Sequence, residues 1–182
     1  MERLFWVLFI IVVLQRLGEL WLARRNGQRM RRRGAVEWGA RHYPAAVLIH
    51  VFFLLSWWVE VMWFQPPTPP WWPVPLGIFW LAQGLRFWVL KSLGPYWNTR
   101  VLVVPGMRPI RHGPYRWVRH PNNLTVVLEM VSLPLIFGAW FTALVPTGIN
   151  MAFLLCVRIP VENAALRHAA HSTMPNSTKS AK

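Results

Sequence analysis

The chain has 182 residues, 54% of them hydrophobic and 14% charged, with 13 Trp and no Asp, whereas a soluble domain carries about 25% charged residues. This excludes a disordered polymer, which would be polar and poor in aromatics, and argues against a soluble enzyme. The net charge of +14 would point to nucleic acid in a soluble protein, but here the basic residues lie between long apolar runs, so membrane lipid is the expected partner and nucleic acid is not. The single cysteine, Cys156, excludes an internal disulfide and a Cys-based metal cluster; its apolar surroundings predict a buried structural thiol.

A membrane-spanning helix needs about 20 largely apolar residues, and five such runs are predicted. The first covers Leu4 to Leu22 and is retained rather than cleaved, because no small-residue cleavage site follows it. The second covers Tyr43 to Phe64 and the third Trp71 to Leu90, separated by the helix-breaking PPTPPWWP stretch. The fourth starts after Pro121 and fades near Gly138. The fifth covers Phe141 to Arg158 and forms a hairpin with the fourth. No internal repeat is visible. Residues 1–170 read as one domain, and 171–182 as a disordered tail.

Basic residues orient the chain. Seven Arg lie between runs one and two, and six Lys or Arg lie between runs three and four. The segment from Gln65 to Pro70 and the turn from Gly138 to Pro146 have none. The basic loops and the C-terminus are therefore expected in the cytoplasm, with the N-terminus outside. Trp57, Trp58, Trp63, Trp71 and Trp72 are expected to form an outer aromatic belt.

Ionisable groups inside a membrane are costly and are functional candidates by default. Arg16 and Glu19 share a face of the first helix, Arg86 sits near the inner end of the third, and Arg158 and Glu162 are four apart at the inner end of the fifth. Glu129 lies about 12 Å into the fourth helix at 1.5 Å per residue. These three Arg and three Glu are expected to neutralise one another around one polar cavity. The alternatives are Arg side chains that snorkel to the head groups, a structural Arg16–Glu19 pair, and a Glu129 that only ties helices together.

Residues 93–123, LGPYWNTRVLVVPGMRPIRHGPYRWVRHPNN, form a polar loop of the length that usually carries function. VLVVPG reads as a short strand ended by a turn, and Pro121 suits the first turn of the helix that follows. The free N–H groups there, with Asn122 and Asn123, suit a carboxylate or a ribose. The competing reading is a basic surface lying on anionic lipid.

GPYRWVRHPNN resembles the G-x-Y-x-x-x-R-H-P-x-Y signature of the isoprenylcysteine carboxyl methyltransferase family, and Arg158-Ile159-Pro160-Val161-Glu162 resembles its later Arg-Ile-x-x-Glu element. QRLGELWLARRN and GAVEWGARHYP resemble a bacterial branch that methylates hydroxyls of long-chain alkylpyrones. The chain departs from the family at Asn123, where the signature closes on Tyr, at Asn163, where a second acid is usual, and in lacking a later Phe-Gly-x-x-Tyr segment.

The resemblance implies an all-α integral membrane enzyme of about five transmembrane helices, with a cytoplasmic cofactor-binding loop and a C-terminal helix, in a bacterial inner membrane. It implies S-adenosyl-L-methionine as cofactor, contacted by Arg100, Met107, Arg108, Pro109, Ile110, Tyr115, His120, Pro121, Asn122, Asn123 and Glu162. It implies Arg158 on the side of a lipophilic acceptor: a prenylated carboxylate, a polyketide hydroxyl or a small lipid acid. If that acceptor starts as a neutral hydroxyl, Glu129 or His120 is the candidate base. An NADPH-dependent sterol-type reductase and a non-catalytic lipid-binding protein are the rival readings. No metal and no particular oligomeric state are implied.

Overall fold

The computed structural model describes residues 1–107 and 109–171, with the side chains of Ala170 and His171 left aside. Arg108 and the tail expected over 172–182 lie outside the described residues. Helix α1 covers Glu2–Arg32, α2 Tyr43–Val59, α3 Pro73–Leu93, α4 Pro121–Ile136, α5 Trp140–Phe153 and α6 Ile159–His171. Strands β1 (Val36–Trp38) and β2 (Val101–Val103) are the only strands among the described residues.

Four stretches are long and apolar enough to cross a membrane: Glu2–Arg32, Ala40–Phe64, Pro73–Tyr96 and Trp140–Ala169. The protein is therefore an all-α membrane protein, but one fewer helix meets the length requirement than the five expected. The exception is α4, which has 16 residues and rises only about 24 Å at 1.5 Å per residue. Pro121 fixes its start, and the chain turns at Phe137 and at Gly138, whose φ is +71°. A Cβ at Gly138 would stand 2.6 Å from the Pro67 carbonyl oxygen, so only glycine fits this approach. The contact brings the 137–139 turn against the proline-rich loop, so the two uncharged connections share one end of the bundle. The helix needs little lipid-facing length because Thr125, Glu129, Met130, Ser132 and Leu133 are all buried among its neighbours.

Helix α1 runs ten residues past its expected end and carries the arginines at 24–32 on one continuous helix. At about 46 Å for 31 residues it exceeds a hydrocarbon core of about 30 Å, so its basic turns project from the bundle. At this basic end β1 pairs antiparallel with β2, Val36 opposite Val103 and Trp38 opposite Val101. The ladder ties the first basic loop to the second.

Two π-helical turns interrupt the long helices. Residues Glu60–Phe64 close α2, and Leu154–Arg158 join α5 to α6. Pro160 lacks the N–H that a regular helix would give to the Cys156 carbonyl, and the wider turn just before it absorbs the lost bond. Glu60 has a local task at the uncharged end. Its carboxylate accepts the N–H groups of Phe141 (2.9 Å) and Thr142 (2.7 Å) and the Thr142 hydroxyl (2.7 Å), satisfying donors that the start of α5 leaves free.

The core near the uncharged end is aromatic. Phe5 stacks edge-on to Trp57 and Phe137 at 5.0 and 5.5 Å, with Phe79, Leu133 and Ile136 closing the cluster. Trp57 is fully buried and so leaves the expected belt, in which Trp58, Trp63 and Trp71 remain exposed. Cys156 is exposed rather than buried, because its position on the π turn points it away from the packed side of the helix pair.

Candidate functional site

The six intramembrane ions do not form one cluster. Arg16, Glu19, Arg86 and Glu129 make a closed network in the bundle, whereas Arg158 and Glu162 sit against the polar loop at the basic end. All six lie on helical segments as expected, but which way each side chain turns around its helix separates the two groups.

In the network, Arg86 donates Nε to Glu129 (2.9 Å) and Nη1 to Glu19 (2.7 Å), and its Nη2 also meets Glu129. Arg16 bridges Glu19 (2.7 Å) and Glu129. Gln83 and Gln15 add donors to Glu129 at 2.7 and 3.3 Å. Five N–H donors therefore converge on the Glu129 carboxylate, which has about four lone-pair directions and is 1% exposed. That occupancy overturns Glu129 as candidate base: no lone pair is left for a substrate proton. The two glutamines were not singled out in the sequence, although each stands within four residues of a charge on its own helix, Gln15 beside Arg16 and Glu19 and Gln83 beside Arg86.

The second site assembles around the start of α4. Pro121 is buried in the first turn, and the N–H groups of Asn123 and Leu124 bond back to the His120 carbonyl. The Asn122 side-chain oxygen Oδ1 accepts the Trp97 indole N–H at 3.2 Å. Asn26 on α1 in turn holds the Trp97 carbonyl (2.8 Å) and that of Gly94 (3.2 Å). Trp97 and Asn26 are supports that sequence reasoning missed, because their partners are far away along the chain.

His120 Nδ1 stands 3.4 Å from a Glu162 carboxylate oxygen on the first turn of α6. The Glu162 carboxylate beside it raises the His120 pKa above its ordinary 6.5, outweighing burial and the nearby Arg119, which lower it. Burial pushes the Tyr115 phenol above its usual range, and the Glu162 charge adds to this. Tyr115 and His120, from one motif of the polar loop, and Glu162, from α6, thus share one environment. Met107, Pro109 and Ile110 follow the tight turn that the Met107 N–H closes onto the Val104 carbonyl, and Pro109 is exposed.

Arg158 faces a different way, although it stands one helical turn from Glu162. Its Nη1 donates to the Thr99 carbonyl at 2.8 Å. It lines a small, open cleft with Tyr43, Val101, Phe153 and Val161. Arg100 stands beside this cleft, next to Tyr43. It donates to Glu37 at 2.6 Å and stacks over the Tyr43 ring at 4.1 Å. The site therefore has two faces, an acidic one at Glu162 and a cationic one at Arg158.

The Asn123 side-chain nitrogen is buried without a hydrogen-bond partner, and His120 Nδ1 is buried with no contact closer than the long one to Glu162; such atoms call for a polar ligand. The Glu162 carboxylate is 30% exposed beside them, and it suits a ligand group of positive charge.

The family model described as the isoprenylcysteine carboxyl methyltransferase (ICMT) family matches residues 75–168, just over half of the chain, from α3 to α6. An uncharacterized protein of Bacillus subtilis (strain 168), YpbQ, is 40% identical over 164 residues, covering 90% of this chain and 97% of that protein. An uncharacterized protein of Haemophilus influenzae (strain ATCC 51907 / DSM 11121 / KW20 / Rd) is 26% identical over 167 residues, covering 89% and 94%. No solved structure matches this chain.

Proposed function

The chain belongs to the isoprenylcysteine carboxyl methyltransferase family, and on that premise we propose that it is an S-adenosylmethionine-dependent O-methyltransferase whose acceptor is a lipophilic molecule held in the bilayer. The observation that carries this is the meeting of Tyr115, His120 and Glu162 at the start of α4, with Arg158 one turn away on the opposite, cationic face. When bound, S-adenosylmethionine supplies an electrophilic methyl group open to in-line attack by an oxygen nucleophile, with the thioether as leaving group. Glu162 would hold the donor's positive charge, and Asn123 and His120 its polar groups. Arg158 would hold an anionic oxygen toward the donor. Orientation and exclusion of water then supply most of the acceleration.

The acceptor is an anion before it reacts: an isoprenylcysteine-type carboxylate, or an acidic ring hydroxyl of the alkylpyrone type. Glu129 is saturated with donors, and His120 is drawn to Glu162. With neither free to remove a proton, a pre-ionised oxygen is the acceptor that the site can use, and a guanidinium fork suits its geometry.

Arg158→Lys keeps the charge and loses the fork. Methyl transfer to a lipophilic acid or pyrone should fall by at least about tenfold, equivalent to roughly 1.4 kcal/mol in the barrier. Calorimetry with S-adenosylhomocysteine on the same detergent-solubilised protein should read an affinity near wild type. Lost cofactor affinity in a folded variant would move Arg158 to the donor side. NADPH binding in place of S-adenosylhomocysteine would reverse the reading in favour of a reductase.

The basic loops and the C-terminus face the cytoplasm in this reading, so that the soluble donor reaches His120 and Glu162 from the aqueous side. With Cys156 replaced by Ser, single cysteines at Arg32 and Thr68 test it in intact cells. A membrane-impermeant thiol reagent should modify position 68 and spare position 32; the reverse pattern would invert the topology.

A further inference from the structure

Helix α3 turns an apolar stripe outward. Trp80, Leu81, Gly84, Phe87 and Trp88 are exposed along it, spaced three and four apart so that they share one face. Leu81 is 75% and Phe87 69% accessible. On a membrane-spanning helix such a face lies in lipid. Lys91 follows four residues after Phe87, exposed on the same face, and is the first charge on it. It stands about 27 Å beyond Pro73 at 1.5 Å per residue, close to a hydrocarbon thickness of about 30 Å. Lys91 therefore marks head-group level at the basic end.

The motif loop continues this face. Gly113–Arg116 forms a short 3-10 turn. Gly113, at φ +61°, comes so close to α3 that a Cβ there would stand 3.2 Å from Trp88 Nε1 and overlap the Ser92 side chain. The Trp117 ring then packs edge-on against Trp88 at 5.5 Å. Even so, Trp117 stays 69% exposed and Val118 39%. Two indole rings and a valine thus lie open at the level where indoles favour the membrane interface. Arg116 and Arg119 flank them and are exposed.

Among the described residues no glutamate pairs with Lys91, Arg116 or Arg119. The six acids of the chain are all Glu. Glu19 and Glu129 close the buried network, Glu37 pairs with Arg31 and Arg100, and Glu60 holds the start of α5. Glu162 lies beside His120, and Glu2 lies in the first turn of α1. A second copy of the chain would bring the same shortage of acids. The bilayer itself supplies the missing charge, because lipid phosphates lie at the level of Lys91 and a guanidinium fork suits a phosphate.

We propose that Trp88, Trp117, Arg116, Arg119 and Lys91 form a binding face for anionic phospholipid, with the rings in the interface and the cations on head-group phosphates. The face seats the segment that carries Tyr115 and His120 on the membrane surface. It is defined by its own residues and does not depend on what Tyr115 and His120 bind.

Lipid-specific quenching on the full chain tests it. With Cys156→Ser, a bimane is attached at Val118→Cys, and in a second preparation at Phe64→Cys at the uncharged end. Each is placed in phosphatidylcholine nanodiscs holding the same mole fraction of either phosphatidylglycerol or phosphatidylcholine brominated near the head group. At position 118 both lipids should quench, and phosphatidylglycerol should be enriched about fivefold, equivalent to roughly 1 kcal/mol for one arginine near an anionic surface. At position 64 the two lipids should quench equally. Arg116→Gln with Arg119→Gln should bring the preference at 118 down to the level at 64. Salt gives the same readout without a substitution: the preference should shrink as the Debye length falls from about 10 Å at 0.1 M to about 3 Å at 1 M. Absence of quenching by either lipid would put the face in water, open to an acidic protein, and overturns the proposal. Equal quenching by both lipids at 118, or a preference that survives in the folded double variant or in high salt, overturns it as well.

Discussion

Arg86→Met is expected to destabilise the folded protein by about 3–5 kcal/mol, the range seen when one partner of a buried ion pair is removed. Arg86 is 4% exposed and reaches both glutamates of the network. Without it, Glu19 and Glu129 share Arg16 as their remaining cation in the network. One carboxylate is then left buried with less than one compensating charge, which is costly. Thermal melts in detergent should show a large drop in the midpoint. The double variant Arg86→Met, Glu129→Leu removes one charge of each sign and restores the balance. It should be more stable than the sum of the two single variants predicts, with a coupling of about 0.5–3 kcal/mol. Arg16→Met should be milder than Arg86→Met because Arg16 is more accessible. A wild-type melt for Arg86→Met would show that packing alone holds α1, α3 and α4 together.

That network shows what the sequence can and cannot reveal. The apolar runs and their proline breaks marked the long helices, because a bilayer demands length and apolarity that few other contexts impose. The place of Glu19, Arg86 and Glu129 within helices followed from the apolar runs around them. The turn of each residue around its helix did not, and it is this turn that sets Arg158 apart from the other arginines. The local turns of 93–123 were legible through Gly and Pro, including the strand-like VLVV that becomes β2. Its partner β1 was not, since three residues of GAVEW carry no periodicity and the pairing spans 65 residues between Glu37 and Leu102. Trp57 and Trp58 look alike as sequence, yet one is buried and the other exposed. The bounds of α4 were legible through Pro121 and Gly138, but the approach of Gly138 to the Pro67 carbonyl was not, because tertiary packing brings it there. At the candidate site, the motif residues were legible as a set through the family resemblance, but their division into a donor face at Glu162 and an acceptor face at Arg158 rests on packing between α6 and two distant loops.

Glu162→Gln tests the donor face. The substitution keeps the shape of the side chain and removes its charge. A charge-assisted hydrogen bond contributes about 1.5–3 kcal/mol, so affinity for S-adenosylmethionine should fall about 10- to 150-fold at 1.4 kcal/mol per decade. S-adenosylhomocysteine has the same ammonium group without the sulfonium. A smaller loss for this product would place Glu162 near the sulfur, and an equal loss would place it at the ammonium. His120 supplies an independent readout, because its raised pKa depends chiefly on Glu162. A His whose folded pKa lies above its ordinary 6.5 contributes stability that is fully present below that ordinary value and is lost as pH rises through the folded one. Wild-type melting temperatures should therefore decline as pH climbs above about 6.5, over the window up to the raised value. In Glu162→Gln the His120 titration should move down and this decline should shrink. NMR of the His120 ring follows the titration directly. If the titration moves down while S-adenosylmethionine affinity stays at wild type, Glu162 serves only as the partner of His120, and the donor must be held by other groups.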